Sequence, residues 1–291
     1  MKTLTKAQFD FLYHIFAGET ACQEDAEALY AQKKGWVEKT EEGCQITQSG
    51  LAVLEPYRVK RAIVMAAGFG SRLLPATEHM PKPMVSVKGV HIIETLLDAI
   101  VQAGIEEIYL VRGYKGETFD VLLEKYPGIR FLENPYYNEA NNISTVWIAR
   151  DLIRDAYVCE ADLVIANKGI IRTYEYETNY LGAWMDEVDD WGLYPGEDGY
   201  VARLSPVGGP NGYRMFGISF WTKEDGETLS DCLDIQFAQK KRWQEYWDEV
   251  SMIDHLEKFH IAIRLCTFQD LVEIDTYEEL QALEQDENFR L

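Results

Sequence analysis

The sequence predicts a doubly wound α/β domain with a mixed sheet, preceded by a small helical module. Three observations carry this. After Lys60, short apolar strand-like runs alternate with amphipathic stretches; a glycine turn directly follows the first of those runs; and the pattern breaks near Pro56 to Lys60. At 291 residues the chain exceeds one typical domain. The expected organisation is residues 1–57 as a separate module and 61–291 as the main domain.

In the front module, Ala7 to Phe16 spaces Phe9, Leu12, Tyr13 and Phe16 along one helix face. A second helix is expected from about Asp25 to Lys34, with Gly35 as its C-terminal cap. Trp36-Val37-Glu38-Lys39 and Cys44-Gln45-Ile46-Thr47 alternate around Glu41-Glu42-Gly43, the pattern of a short hairpin. Thr47 or Ser49 then suits the N-cap of a helix carrying Leu51, Val53 and Leu54. Helices with a small hairpin and an I-T-x-x-G turn resemble a winged-helix module. Winged helices often bind DNA, but phosphate contacts dominate such affinity, and residues 1–60 hold 9 acidic against 7 basic side chains. The stretch Glu24-Asp25-Ala26-Glu27 aims three of those carboxylates wherever its helix points. A regulatory or packing appendage, for example a contact in a homo-oligomer, fits this charge better than a nucleic-acid reader.

The main domain opens with the apolar run Arg61 to Ala67, whose centre, Ala62 to Ala66, reads as a buried strand. His91 to Ala103 follows as a helix with Ile92, Leu96, Leu97 and Ile100 on one face, closed by Gly104. Ile108 to Arg112, Ile129 to Leu132, Ala156 to Glu160 and Arg214 to Trp221 are the further strands. Sheets of this kind bind ligands at the carboxyl ends of their strands, which is where the glycine turn stands.

That turn carries the chemistry. Gly68 and Gly70 permit φ > 0 and have no Cβ, so successive backbone N–H groups can approach a phosphate closely. Arg72 and Lys82 add cationic donors on either side. Phosphoryl chemistry depends mainly on positioning and electrostatic stabilisation, which such a loop supplies. A P-loop does not fit, because Leu73 stands where its second glycine is required. The same Leu73 occupies the third glycine position of a dinucleotide fingerprint.

Composition narrows the partners. A net charge of −21 disfavours broad nucleic-acid or anionic-membrane surfaces, so anionic substrates must be met locally by Arg72, Lys82 and metal. The five cysteines lack C-x-x-C spacing, which points to reduced thiols in the cytoplasm rather than a zinc site or a disulfide framework. Asp10 and His14 interrupt the apolar start, and no run approaches the ~20 apolar residues of a membrane span.

Ala66-Ala67-Gly68-Phe69-Gly70-Ser71-Arg72-Leu73-Leu74-Pro75, with Lys82-Pro83 beyond it, resembles the signature of the nucleotidyltransferases that make sugar nucleotides and CDP-alcohols. The resemblance implies a Rossmann-like nucleotidyltransferase domain that joins an NTP to a phosphorylated small molecule and releases pyrophosphate. It further implies that Ala66, Ala67, Gly68 and Gly70 meet the nucleotide, with Arg72 and Lys82 on phosphate charge.

Two acidic segments fit that chemistry. Tyr157-Val158-Cys159-Glu160-Ala161-Asp162 ends in two carboxylates that strand alternation puts on one face. Mg²⁺ typically takes one or two carboxylates and keeps several waters. The family motif is usually D-x-D, so Asp162 fits as a metal ligand while Glu160 departs from the pattern. Asp275, in an I-D-T-x-E-E-L segment, resembles the family's second metal-binding aspartate. Asp275 or Thr276 also suits the N-cap of the helix that follows, and the two roles can coexist.

Acceptor and base come from the remaining segments. Asn142 and Ser144 stand in a polar loop opening a helix, where such residues most often cap; in the family this region touches base and ribose, and N-x-x-S resembles the phosphocholine cytidylyltransferases. Tyr174 to Trp247 holds 15 of the 36 aromatic residues in 74 positions, a density suited to core packing or to a cage for a quaternary ammonium. Trp191, behind Asp189-Asp190, and Tyr246-Trp247-Asp248 resemble segments of the bacterial CTP:phosphocholine cytidylyltransferases. The expected reaction is therefore CTP plus phosphocholine giving CDP-choline and pyrophosphate, with Mg²⁺ as cofactor. A sugar 1-phosphate or another amino-alcohol phosphate is the alternative acceptor, and a winged-helix regulator with a nucleotide-sensing domain is the alternative of another class.

Overall fold

The structure is a computed structural model that describes residues 3–18, 26–41, 43–286, 289 and 291, with the Ser71 side chain excepted. The chain divides into two compact units, Met1–Val59 with Thr173–Tyr176, and Lys60–Arg172 with Glu177–Leu291.

In the first unit, helix α1 (Lys6–Phe16) starts at a capping box in which Thr5 accepts from the Gln8 backbone and Gln8 returns the bond. Its apolar stripe buries Phe9, Leu12 and Ile15. Helix α2 (Ala26–Lys33) and the hairpin of β1 (Val37–Thr40) and β2 (Gly43–Ile46) follow. The hairpin pairs Val37 with Ile46 and Thr40 with Gly43, one residue from the expected bounds at each of its four strand ends. Helix α3 (Gln48–Leu54) takes Thr47, not Ser49, as its N-cap. Thr173–Tyr176 completes this unit as a strap: the Val59 N–H donates to the Thr173 carbonyl, and the Glu175 N–H to that of Tyr57. Tyr174 is buried in the same core as Phe9, Leu12 and Tyr57, and Tyr176 stacks on Tyr57 at 5.6 Å. The Glu24-Asp25 carboxylates lie outside the described residues.

One cysteine departs from the sequence reading. Cys44 is disulfide-bonded, whereas Cys159, Cys232 and Cys266 are free and buried. Pairing depends on the distance between cysteines in space, which scattered spacing along the chain cannot show.

The second unit is built on β3 (Arg61–Ala66), whose last five residues are all buried, as a strand flanked on both sides must be. Two short strands, β4 (Ser86–Val87) and β5 (Val90–His91), lead into α4 (Ile92–Gln102), whose buried Ile92, Leu96, Leu97 and Ile100 are the predicted face. Next come β6 (Glu107–Arg112), β7 (Ile129–Glu133), α5 (Ile143–Ala149), β8 (Ala156–Glu160) and β9 (Leu163–Ile165). A flank follows that the sequence pattern did not reveal: β10 (Asn179–Val188), β11 (Gly192–Pro195) and β12 (Val201–Ser205). Strand β13 (Gly209–Trp221) begins five residues before its predicted start at Arg214. Helices α6 (Lys223–Leu233) and α7 (Trp247–Glu249), strands β14 (Ala262–Leu265) and β15 (Leu271–Glu273), and helix α8 (Tyr277–Gln285) complete the order.

The main sheet runs β12-β11-β13-β8-β3-β6-β7, with β10 against β13 and β14 against β10. Strands β8, β3, β6 and β7 are parallel and β13 is antiparallel to β8, so the sheet is mixed. Register aligns the carboxyl ends of β3 and β8, with Met65 opposite Glu160. A separate two-stranded pairing sets Glu273 opposite Leu163, which brings Asp275 toward Asp162. Among the described residues no helix is long and apolar enough to cross a membrane.

Candidate active site

The glycine turn after β3 forms one wall of a cleft of about 390 Å³. Gly70 is required there on two counts, since its φ is +62° and a Cβ would fall 2.6 Å from Lys82 Cβ. Gly68 differs from expectation. It does not have a positive φ, and a Cβ there would meet nothing within 4 Å, so its missing side chain leaves open space rather than relieving the backbone. Thr77 Oγ1 donates to the Gly70 carbonyl at 2.9 Å and ties the turn to the loop after it.

Lys82 opens a short 3₁₀ turn and is only 6% exposed. Its Nζ donates to Asp162 Oδ2 at 2.8 Å and to Asp275 Oδ1 at 3.0 Å, and Arg72 Nη2 reaches the same Asp275 oxygen at 2.8 Å. Burial works against the Lys82 ammonium, but Asp162 and Asp275 together outweigh it and hold its pKa above the ordinary lysine value. Arg72 is far more open, with 70% of its side chain exposed, and so remains available at the mouth. The structure thus brings Arg72, Lys82, Asp162 and Asp275 together from four separated points of the sequence. Thr276, not Asp275, caps α8 by accepting from the Glu279 N–H, which leaves the Asp275 carboxylate to the cluster.

Glu273 was not singled out from the sequence, although strand alternation pairs it with Asp275. One carboxylate oxygen from each of Asp162, Glu273 and Asp275 lies within 4.8 Å of the others. Asp162 Oδ1 is buried with no hydrogen-bond partner among the described residues. Three carboxylates with an orphaned oxygen fit a hard divalent cation such as Mg²⁺. Burial pushes Glu273 up to about 7, aided by Asp162 and Asp275 and opposed by Lys82 and by Arg214, whose Nη2 lies 3.5 Å away. Glu160 also lines the cleft, and burial, reinforced by Asp162, Asp248 and Glu273, raises its pKa well above the carboxylate range. Glu160 stands outside the triad whose oxygens converge.

Across the cleft stand Asn142 and Ser144, at the start of α5. Neither caps it. Asn142 makes no capping bond and instead accepts from the Trp247 N–H at 3.0 Å, while Ser144 Oγ donates to the Asn141 carbonyl at 2.9 Å from inside the helix. Asn134 holds this wall by donating to Ser144 Oγ and Thr145 Oγ1. Tyr137, Asn141 and Thr145 also line it and were not foreseen; their spacing carries no signal until α5 is placed.

The four residues assigned to an acceptor amine divide into two groups. Trp247 is 1% exposed, stacked on Tyr180 at 5.9 Å and packed on Trp221 at 6.1 Å, and Asp248 is buried accepting from the Tyr180 hydroxyl at 3.0 Å. Trp191 and Tyr246 form an edge-to-face pair with centroids 5.0 Å apart, Trp191 half-buried and Tyr246 42% exposed. None of the four lines the cleft around Lys82.

Comparison with known proteins bears on the whole arrangement. A family model described as nucleotidyl transferase matches residues 61–180. A 2-aminoethylphosphonate cytidylyltransferase of Lancefieldella rimae is 34% identical over 226 residues, spanning 77% of this chain and 91% of its own. A choline-phosphate cytidylyltransferase of Streptococcus pneumoniae is 29% identical over 77% of this chain and 97% of its own. The solved structure of the CTP:phosphocholine cytidylyltransferase from Streptococcus pneumoniae superposes with a TM-score of 0.73 at 28% identity, covering 78% of this chain and 98% of that one. With the glycine turn, its two cations and the facing carboxylates placed on a sheet shared with such relatives, the chain belongs to the nucleotidyl transferase family.

Proposed function

We propose that the chain is a cytidylyltransferase that transfers the CMP of CTP to a small phosphate or phosphonate bearing a cationic amine, with phosphocholine as the acceptor. The observation that carries the reaction is the Lys82 ammonium, held at the glycine turn between two carboxylates from separate strand ends. An oxygen of the acceptor phosphate attacks the α-phosphorus of CTP; the new P–O bond forms as the α–β bridging bond breaks, and its electron pair leaves with pyrophosphate. The acceptor is already largely ionised at neutral pH, so no protein base or nucleophile is needed. Backbone N–H groups of the turn and the Arg72 and Lys82 cations orient the phosphates and offset their charge. Asp162 and Asp275, with Glu273 beside them, would hold Mg²⁺, which when bound neutralises phosphate charge.

The acceptor reading rests on the half-open Trp191–Tyr246 pair, since exposed ring faces suit a trimethylammonium. A second reading, 2-aminoethylphosphonate, is favoured by the 34% identity to an enzyme of that name and by the burial of Trp247, which reduces the cage to two rings. Pyrophosphate release from CTP, UTP, dTTP and ATP with phosphocholine, 2-aminoethylphosphonate, phosphoethanolamine and glucose 1-phosphate decides between them. Preference for CTP and phosphocholine, with Trp191→Ala raising KM for phosphocholine and not for CTP, supports the first reading. Preference for the phosphonate supports the second, and a sugar phosphate as best acceptor overturns both.

A further inference from the structure

Phe69, the middle residue of the glycine turn, is 44% exposed at the mouth of the cleft. An apolar ring in the open is not unusual in itself, but this one is held. Its centroid lies 5.0 Å from Tyr114 and 5.6 Å from Tyr137, at interplanar angles of 43° and 48°. Tyr114 is tied to the same turn, and Tyr137 to Gly113 next to it. The Tyr114 N–H donates to the Ala67 carbonyl at 3.2 Å, and Gly113 packs so tightly on Tyr137 that a Cβ there would lie 2.6 Å from Tyr137 Cβ. The tilted contacts steady the ring and leave part of it uncovered, so it is oriented before any ligand arrives.

The turn therefore has two chemically distinct ends. Ala67 to Phe69 adjoins the aromatic cluster, whereas Gly70 abuts Lys82 and Arg72 reaches Asp275. A nucleoside triphosphate has the same polarity, a flat ring at one end and several negative charges at the other. We infer that Phe69, braced by Tyr114 and Tyr137, is the stacking platform for the nucleobase. This rests on the nucleotidyl-transfer reading above. Stacking uses the π face that every base possesses and reads no hydrogen-bonding edge. Phe69 thus supplies affinity for the nucleotide without selecting cytosine over uracil.

Calorimetric titration of the full chain in Mg²⁺ buffer without acceptor, using CTP, UTP and tripolyphosphate, tests this. Phe69→Ala should weaken CTP and UTP by the same factor, roughly tenfold, and leave tripolyphosphate unchanged, while Phe69→Trp restores both nucleotides. Unchanged CTP affinity in Phe69→Ala overturns the inference, as does a parallel loss of tripolyphosphate binding, which would assign the effect to the turn's backbone. A wild-type chain that binds tripolyphosphate but none of the nucleotides also overturns it. If the wild type binds neither, the nucleotidyl-transfer reading itself falls.

Discussion

Lys82 Nζ lies 2.8 Å from Asp162 Oδ2, a contact across 80 positions of the sequence, and the same ammonium reaches Asp275. A single buried cation therefore fixes where the glycine turn stands relative to the ends of β8 and β15. Removing one partner of such a group leaves charge uncompensated in a poorly solvated place, which is far more costly than losing a surface pair.

Asp162→Asn should preserve the fold and lower turnover by about a thousandfold, because the carboxylate both positions Lys82 and offers an oxygen to a divalent cation. Pyrophosphate release at saturating Mg²⁺ is the measurement. Turnover near that of the wild type would remove Asp162 from the site.

Lys82→Met should destabilise the chain by about 3–5 kcal/mol in the absence of divalent ions, since Asp162 would lose its ammonium partner and Asp275 would be left to the exposed Arg72. Added Mg²⁺ should raise the Tm of this variant more than that of the wild type. Equal Tm values for variant and wild type in chelator would show that the pair contributes nothing to stability.

A pH effect follows from Asp248. Burial raises its carboxyl to about 7, whereas in the unfolded chain an aspartate titrates near ~4. Between those values the folded chain keeps a proton that the unfolded chain releases. Stability is thus full below the unfolded value, falls as pH rises toward about 7, and levels off above it. Asp248→Asn keeps an acceptor for the Tyr180 hydroxyl and cannot titrate. The difference in urea midpoint between wild type and variant should change by no more than about 3 kcal/mol equivalent between about pH 5 and about pH 8, with the wild type losing more. Parallel pH profiles would show that Asp248 is ionised in the fold.

Removing residues 1–57 should leave a chain that folds and retains chemistry, because the glycine turn and its charged partners all lie in the second unit. Solubility should fall, since Tyr174 and Tyr176 lose the core that covers them. Light scattering and a pyrophosphate assay on the truncated chain check both halves, and a well-folded but inactive truncation would assign the front unit a part in the site. Replacing Tyr174 and Tyr176 by serine in the truncated chain should recover solubility.

The parallel half of the sheet and the charged turn are legible in the sequence because their signals are local. Strand β3 is apolar from Ala62 to Ala66, and the glycines, Arg72 and Lys82 lie within a short stretch. Of the antiparallel flank only Arg214 to Trp221 of β13 is, because β10 to β12 and the start of β13 mix buried and exposed positions and owe their pairing to distant segments. Trp247 and Asp248 show a second limit. A ring beside a carboxylate reads the same whether it faces ligand or core, and only packing on Tyr180 and Trp221 separates the two. Asp275 and Thr276 are both good caps by residue type, and backbone geometry alone gives that role to the threonine.

The strap Thr173–Tyr176 sets the order in which the chain can be completed during synthesis. Helices α1 to α3 leave the ribosome first, yet the core they form lacks Tyr174 until β3, β6, β7 and β8 have all been translated. This unit is thus begun before the second but cannot finish before much of the second is made. A nascent chain stalled before Thr173 would expose an aromatic surface on its earliest segment, so a chaperone with affinity for such surfaces would meet this protein at its front end rather than at its growing one.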